Sequence, residues 1–198
     1  MRKSKYTKKT PVKPSFHGYL KSIFLEMDQV MSKIEDKEVQ VFIKELIKAK
    51  TVVAVGAGRV GMAARGFAMR LGHFGFKTYT LGDSTVPALR KGDLLLVCSG
   101  SGETQTIFEL SKIAKNNGSK VALITGNRDS RIGKIADVVV ELKAPSKTKK
   151  VDGFNSIQPM TTLNEQCLSI FFDTVVLLMM HYLGETHDTM WARHSNLE

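Results

Sequence analysis

The stretch Leu94-Leu-Leu-Val-Cys-Ser-Gly-Ser-Gly-Glu-Thr104 runs from an unbroken apolar segment into a turn of hydroxyls, glycines and one carboxylate. Helical periodicity follows it. This pattern predicts a buried strand that feeds a loop at a helix N-terminus. Glycine lets the backbone approach a ligand closely, and the free amides and dipole of a helix start favour negative charge. Ser99, Ser101 and Thr104 add hydroxyl donors, and Gly100 lies between the two serines. The loop has no lysine, so it lacks the Gly-Lys-Ser/Thr ending of a nucleotide P-loop. Its chemistry suits one monoester phosphate rather than a triphosphate with magnesium. The plainer reading is a capped helix after a strand, but three hydroxyls and two glycines exceed what one cap uses.

Outward from this stretch, apolar runs at 51–55, 77–81, 93–98, 120–124 and 137–142 predict short buried strands. Helical stretches are expected at 60–74, 87–90, 103–117 and 130–135, with two more within 16–49. Alternation of this kind implies an α/β fold, a three-layer α-β-α sandwich around a five-stranded parallel sheet. A loop over 143–158 leads to a long helix at 159–183 and a last one at 185–193. The long helix is apolar nearly all round, so a second copy of the chain is expected to cover part of it.

The 198 residues and 42% apolar content suit a single domain at 16–198 behind a basic tail at 1–15. Arg2, Lys3, Lys5, Lys8, Lys9 and Lys13 supply six of the ten net positive charges. The excess is therefore mostly a solvated tail, and nucleic acid is not the expected partner. Two cysteines without a framework fit a reducing cytoplasm, and no apolar run reaches the length of a membrane span. His17, His187 and the cysteines show no spacing for zinc.

Gly56-Ala-Gly-Arg-Val-Gly61 follows the first strand and matches G-x-G-x-x-G. By itself it also fits a nicotinamide enzyme, but a dinucleotide unit does not need the serine loop. In strand order 2-1-3-4-5 the first and third strands are neighbours, and both loops flank the switch point where open sheets bind ligands. Gly58 and Arg59 then stand over the crevice, Arg59 as a charge partner for phosphate.

These features resemble the sugar isomerase (SIS) domain family, and within it the 6-phospho-3-hexuloisomerase branch. The resemblance rests on Gly56-Ala-Gly-Arg59, Phe67-Ala-Met-Arg-Leu71, Ser99-Gly-Ser-Gly-Glu-Thr104, Gln158-Pro-Met160 with Glu165-Gln166, and Arg193-His194-Ser-Asn-Leu-Glu198. It implies a doubly wound SIS fold and interconversion of a 3-hexulose 6-phosphate with fructose 6-phosphate. It implies no cofactor or metal, and a cytoplasmic homotetramer. Ser99, Ser101 and Thr104 would grip the phosphate, Gly100 would permit its close approach, and Ser84 and Thr85 would face it. Glu165 becomes the base and His194 the proton-transfer group, in a site completed by another subunit. Val60, Asp83 and Asn164 depart from the usual serine, glutamate and phenylalanine-containing pattern, which bears on the particular sugar. The rival functions are a sugar-phosphate sensor and a pentose 5-phosphate isomerase. For the first, residues 1–49 offer no clear DNA-binding domain.

Overall fold

A computed structural model describes residues 14–146, 151 and 154–197. Its elements are α1 (Phe16–Met31), α2 (Asp36–Lys48), β1 (Val52–Gly56), α3 (Gly58–His73), β2 (Thr78–Thr80), β3 (Leu94–Cys98), α4 (Gln105–Asn116), β4 (Lys120–Thr125), β5 (Val138–Glu141), α5 (Thr162–Leu183) and α6 (His187–Trp191). The tail at 1–13 and Lys147, Lys149 and Lys150 lie outside the described residues.

Every residue of β3 is buried. It carries no polar alternation because both faces of a central parallel strand are covered. The five strands are parallel in the order β2-β1-β3-β4-β5. Gly56 pairs in register with Cys98, so the loops leaving β1 and β3 start side by side. That adjacency creates the crevice.

One face of the sheet carries α1, α2, α3 and α5, packed around Phe42, Phe67, Phe171 and Phe172. The Phe67 and Phe172 rings stack with centroids 4.2 Å apart. The other face is covered by α4, the one helix there among the described residues, through Ile107 and Ala114. The short helices expected at 87–90 and 130–135 do not form. The segment at 87–90 is only four residues long and is bounded by Gly82 and Gly92 at positive φ, which interrupts helical backbone on both sides. At 130–135 the chain makes hydrogen-bonded turns, with the Gly133 amide donating to Ser130 Oγ. Val86, Leu89 and Ile132 from these loops still pack on the sheet, so side chains cover the strands where helical backbone does not.

The long terminal helix begins at Thr162 rather than Pro159. By length and composition α5 matches a membrane span. In this fold it is a core helix, with Leu168, Phe171, Phe172, Val175 and Met179 buried. Its outer side nevertheless exposes Ile170 and Leu177.

Candidate active site

The turn after β3 is shaped by its own hydroxyls. Ser99 Oγ accepts from the Gly102 amide at 3.1 Å, and Ser101 Oγ accepts from the Glu103 amide at 3.2 Å. Each hydroxyl uses a lone pair in doing so and keeps its O–H to donate elsewhere. Thr104 is the N-cap of α4, yet its side chain makes no capping bond. Its Oγ1 lies 3.4 Å from Ser99 Oγ. The hydroxyl that the capped-helix reading assigns to the backbone is thus not used that way.

Glu103 turns away from the crevice. It accepts from the Arg131 backbone N–H at 2.9 Å and from Arg131 Nε at 2.8 Å, while Arg131 Nη2 donates to the Glu103 carbonyl. The backbone N–H of Arg131, aided by its guanidinium, holds the Glu103 carboxyl below its ordinary range. The serine loop is anchored from behind by the 127–135 segment.

The crevice is a cavity of about 380 Å³, and Gly58, Arg59, Ser99, Gly100, Ser101, Thr104 and Glu165 all line it. Arg59 sits in the first turn of α3 and Glu165 in the first turn of α5. Arg59 Nη1 lies 3.0 Å from Glu165 Oε2 and donates to Thr162 Oγ1 at 3.3 Å. Glu165 Oε1 accepts from Thr161 Oγ1 at 2.8 Å. The Glu165 side chain is 14% exposed against 58% for Arg59, so the carboxylate lies in the wall and the guanidinium at the mouth. Cys98 also lines the cavity, and burial pushes its thiol far above the ordinary value, which removes it as a nucleophile.

Three expected site residues lie elsewhere in the single chain. Ser84 and Thr85 are exposed in the turn after β2 and are not among the lining residues. That turn is tied down by Asp83, which accepts from Thr80 Oγ1 at 2.5 Å. His194 packs against His73 with ring centroids 5.1 Å apart, and Trp191 stacks on it at 5.0 Å. His73 ends α3 whereas Arg59 begins it, and a helix of 16 residues is about 24 Å long. Within one chain, then, His194 and Glu165 stand at opposite ends of α3.

The cavity also brings in Met160, Thr161, Thr162 and Asn164. Asn164 is 3% exposed, and its Nδ2 has no hydrogen-bond partner among the described residues. A Cβ on Gly100 would come 2.8 Å from Asn164 Oδ1. A side chain at position 100 would therefore displace the buried Asn164 side chain, in addition to obstructing any approach of a ligand. The sequence signal for Asn164 is its departure from the family's usual pattern just before Glu165. Among the described residues, no three His, Cys, Asp or Glu side chains gather to hold a metal ion.

A doubly wound sheet with a hydroxyl-rich loop and a carboxylate at its switch point defines the class. The chain belongs to the SIS domain family, whose model matches residues 45–170. More particularly, it is 36% identical to the 3-hexulose-6-phosphate isomerase of Bacillus subtilis over 91% of this chain and 97% of that protein. It is also 36% identical to the enzyme of the same name from Mycobacterium gastri, over 87% and 86% of the two chains. Among solved structures, it superposes with a TM-score of 0.78 and 31% identity on a Methanococcus jannaschii protein. That crystal structure was reported to infer the function of a 3-hexulose-6-phosphate isomerase, and the match covers 91% of this chain and 99% of the other.

Proposed function

We propose that the chain is a phosphosugar isomerase that interconverts 3-hexulose 6-phosphate and fructose 6-phosphate, with residues 16–198 as the working unit. The observation that carries this reading is the Arg59–Glu165 pair in the same cavity as Ser99, Ser101 and Thr104. A phosphate monoester and a proton-transfer carboxylate are thereby served by one crevice. The two named relatives support the choice of sugar.

The serine and threonine hydroxyls, the first amides of α4 and the Arg59 guanidinium hold the phosphate. Moving the carbonyl from carbon 3 to carbon 2 requires removal of the proton on carbon 2 and delivery of one to carbon 3. Glu165 does both through an enediol spanning those carbons. Donors around the enediolate oxygens stabilise the charge that develops there. His194 shuttles protons between oxygens in the site of a second copy, since in its own chain it lies at the far end of α3. The working form is a homotetramer in the cytoplasm; self-association is supported by the apolar Ile170 and Leu177 on the outer side of α5 and by the 64% exposure of Trp191.

Incubation of the purified chain with fructose 6-phosphate, followed by NMR, tests the reading. A 3-hexulose 6-phosphate signal is expected. Complete recovery of unchanged substrate at high enzyme concentration rejects it.

A further inference from the structure

Glu26 on α1 is a buried carboxylate with no part in the chemistry above, and it is 7% exposed. All its partners are neutral donors from the segment entering α5. Oε1 accepts from the Ile157 backbone N–H at 2.7 Å. Oε2 accepts from Ser156 Oγ at 2.6 Å and from Gln158 Nε2 at 3.2 Å. The Gln158 backbone N–H closes the cluster by donating to Ser156 Oγ at 3.0 Å. A carboxylate is costly to bury unless several hydrogen bonds meet its charge, and here three converge on it. The arrangement holds a short strap of chain rather than pairing two charges.

The strap leads directly to the base. Pro159 follows Gln158, and its carbonyl accepts from the Thr162 amide at 3.2 Å. Between them Met160 stands at φ 54°, in the left-handed region, and is 89% exposed. A non-glycine residue keeps such a conformation only where its surroundings over-determine it. Its own side chain contributes little to that, being nearly all in solvent. The restraint comes from the Glu26 cluster on one side and the Arg59 contacts to Thr162 and Glu165 on the other. Thr161, next in the chain, donates to Glu165 Oε1.

We infer that Glu26 is a positioning residue: it fixes the 156–158 strap and through it the first turn of α5, setting where the Glu165 carboxylate stands. The inference rests on the proposed role of Glu165 as base. A small misplacement of a catalytic group costs on the order of 10²-fold in rate while leaving phosphate contacts intact.

The test compares Glu26→Ala and Glu26→Gln in the full chain, with turnover followed by NMR. Glu26→Ala is expected to lose roughly 10²-fold in kcat with KM little changed. Glu26→Gln keeps one carbonyl acceptor for Ile157 and is expected to recover most of that loss. Wild-type kcat in Glu26→Ala, a loss confined to KM, or no recovery in Glu26→Gln overturns the proposal. If Glu26→Ala does not fold, Ser156→Ala replaces it: a smaller loss in kcat alone supports the role, and wild-type kcat overturns it. A wild type with no turnover rejects the isomerase reading, and hydrogen exchange then judges the strap alone. Faster exchange of the 161–165 amides in Glu26→Ala, with α4 unchanged, supports it, and unchanged exchange at 161–165 overturns it.

Discussion

Arg59 Nη1 and Glu165 Oε2 stand 3.0 Å apart and join the first turn of α3 to the first turn of α5 across the crevice. The pair joins the helix that follows the first strand to the helix that follows the fifth, and a substrate phosphate would compete with the carboxylate for the same guanidinium. Arg59→Ala should weaken fructose 6-phosphate binding by about 1–2 kcal/mol, the lower part of the range for charged hydrogen bonds because Arg59 is largely exposed. Arg59→Lys should restore it only in part, since the ammonium is more strongly hydrated than the guanidinium and sits on a different stem. Calorimetric titration of the three proteins checks both statements.

Ser101 keeps a free O–H while accepting from the Glu103 amide. Ser101→Ala is expected to weaken fructose 6-phosphate binding by roughly 1–3 kcal/mol. Unphosphorylated fructose should show no measurable heat of binding with either protein. Equal affinities for the sugar and its phosphate would contradict the assignment of this loop.

Gly102 stands at φ +65°, and a Cβ placed there would lie 1.9 Å from Ser130 Oγ. Gly102→Ala therefore combines left-handed strain with overpacking, about 2–4 kcal/mol in all. Thermal melting should show the full loss. Adding Ser130→Gly removes the clash but also the bond that Ser130 Oγ accepts from the Gly133 amide, so the double variant should recover only part of the loss.

The carboxyl of Glu103 is held below its ordinary range chiefly by the Arg131 backbone N–H. A depressed folded-state value means that the charged form contributes stability, fully present above the unfolded value of about 4.3 and lost as pH falls through the folded value. The difference in melting temperature between wild type and Glu103→Gln should be largest near neutral pH and shrink in acid. Melts across that range check the sign.

Glu165→Gln should nearly abolish turnover while leaving binding of fructose 6-phosphate largely intact, because the base acts mainly in the transition state. In D₂O the wild type should place deuterium on carbon 3 of fructose 6-phosphate. His194→Ala should slow turnover by about 10²- to 10⁴-fold. Mixing the two inactive proteins should restore activity if His194 serves a neighbouring site. Leu177→Glu, on the exposed side of α5, should split the assembly in light scattering and lower turnover. A monomeric wild type at micromolar concentration would remove the shared-site reading.

Local pattern determined much of this protein. The unbroken apolar run of β3 could be read because a central parallel strand is buried on both faces. The serine loop could be read because glycine and hydroxyl residues cluster where a strand meets a helix start. Regular alternation of short strands with helices was enough for a parallel sheet covered on both faces, whereas the order 2-1-3-4-5 came with the family resemblance and is seen in the pairing of the strands. Tertiary structure decided the rest. The segments at 87–90 and 130–135 have compact, partly apolar sequences, yet loop side chains can cover a sheet as well as a helix does, so no local signal excludes the loop. Gly100 meets Asn164, and Glu26 meets Ser156, Ile157 and Gln158, only because α1 and α5 pack on the same face of the sheet. His194 lies near the Arg193–His73 contact and far from Glu165 because α6 folds back on the C-terminal end of α3. Such contacts depend on where whole elements dock, and docking is settled by the shared core rather than by any residue's neighbours in the chain.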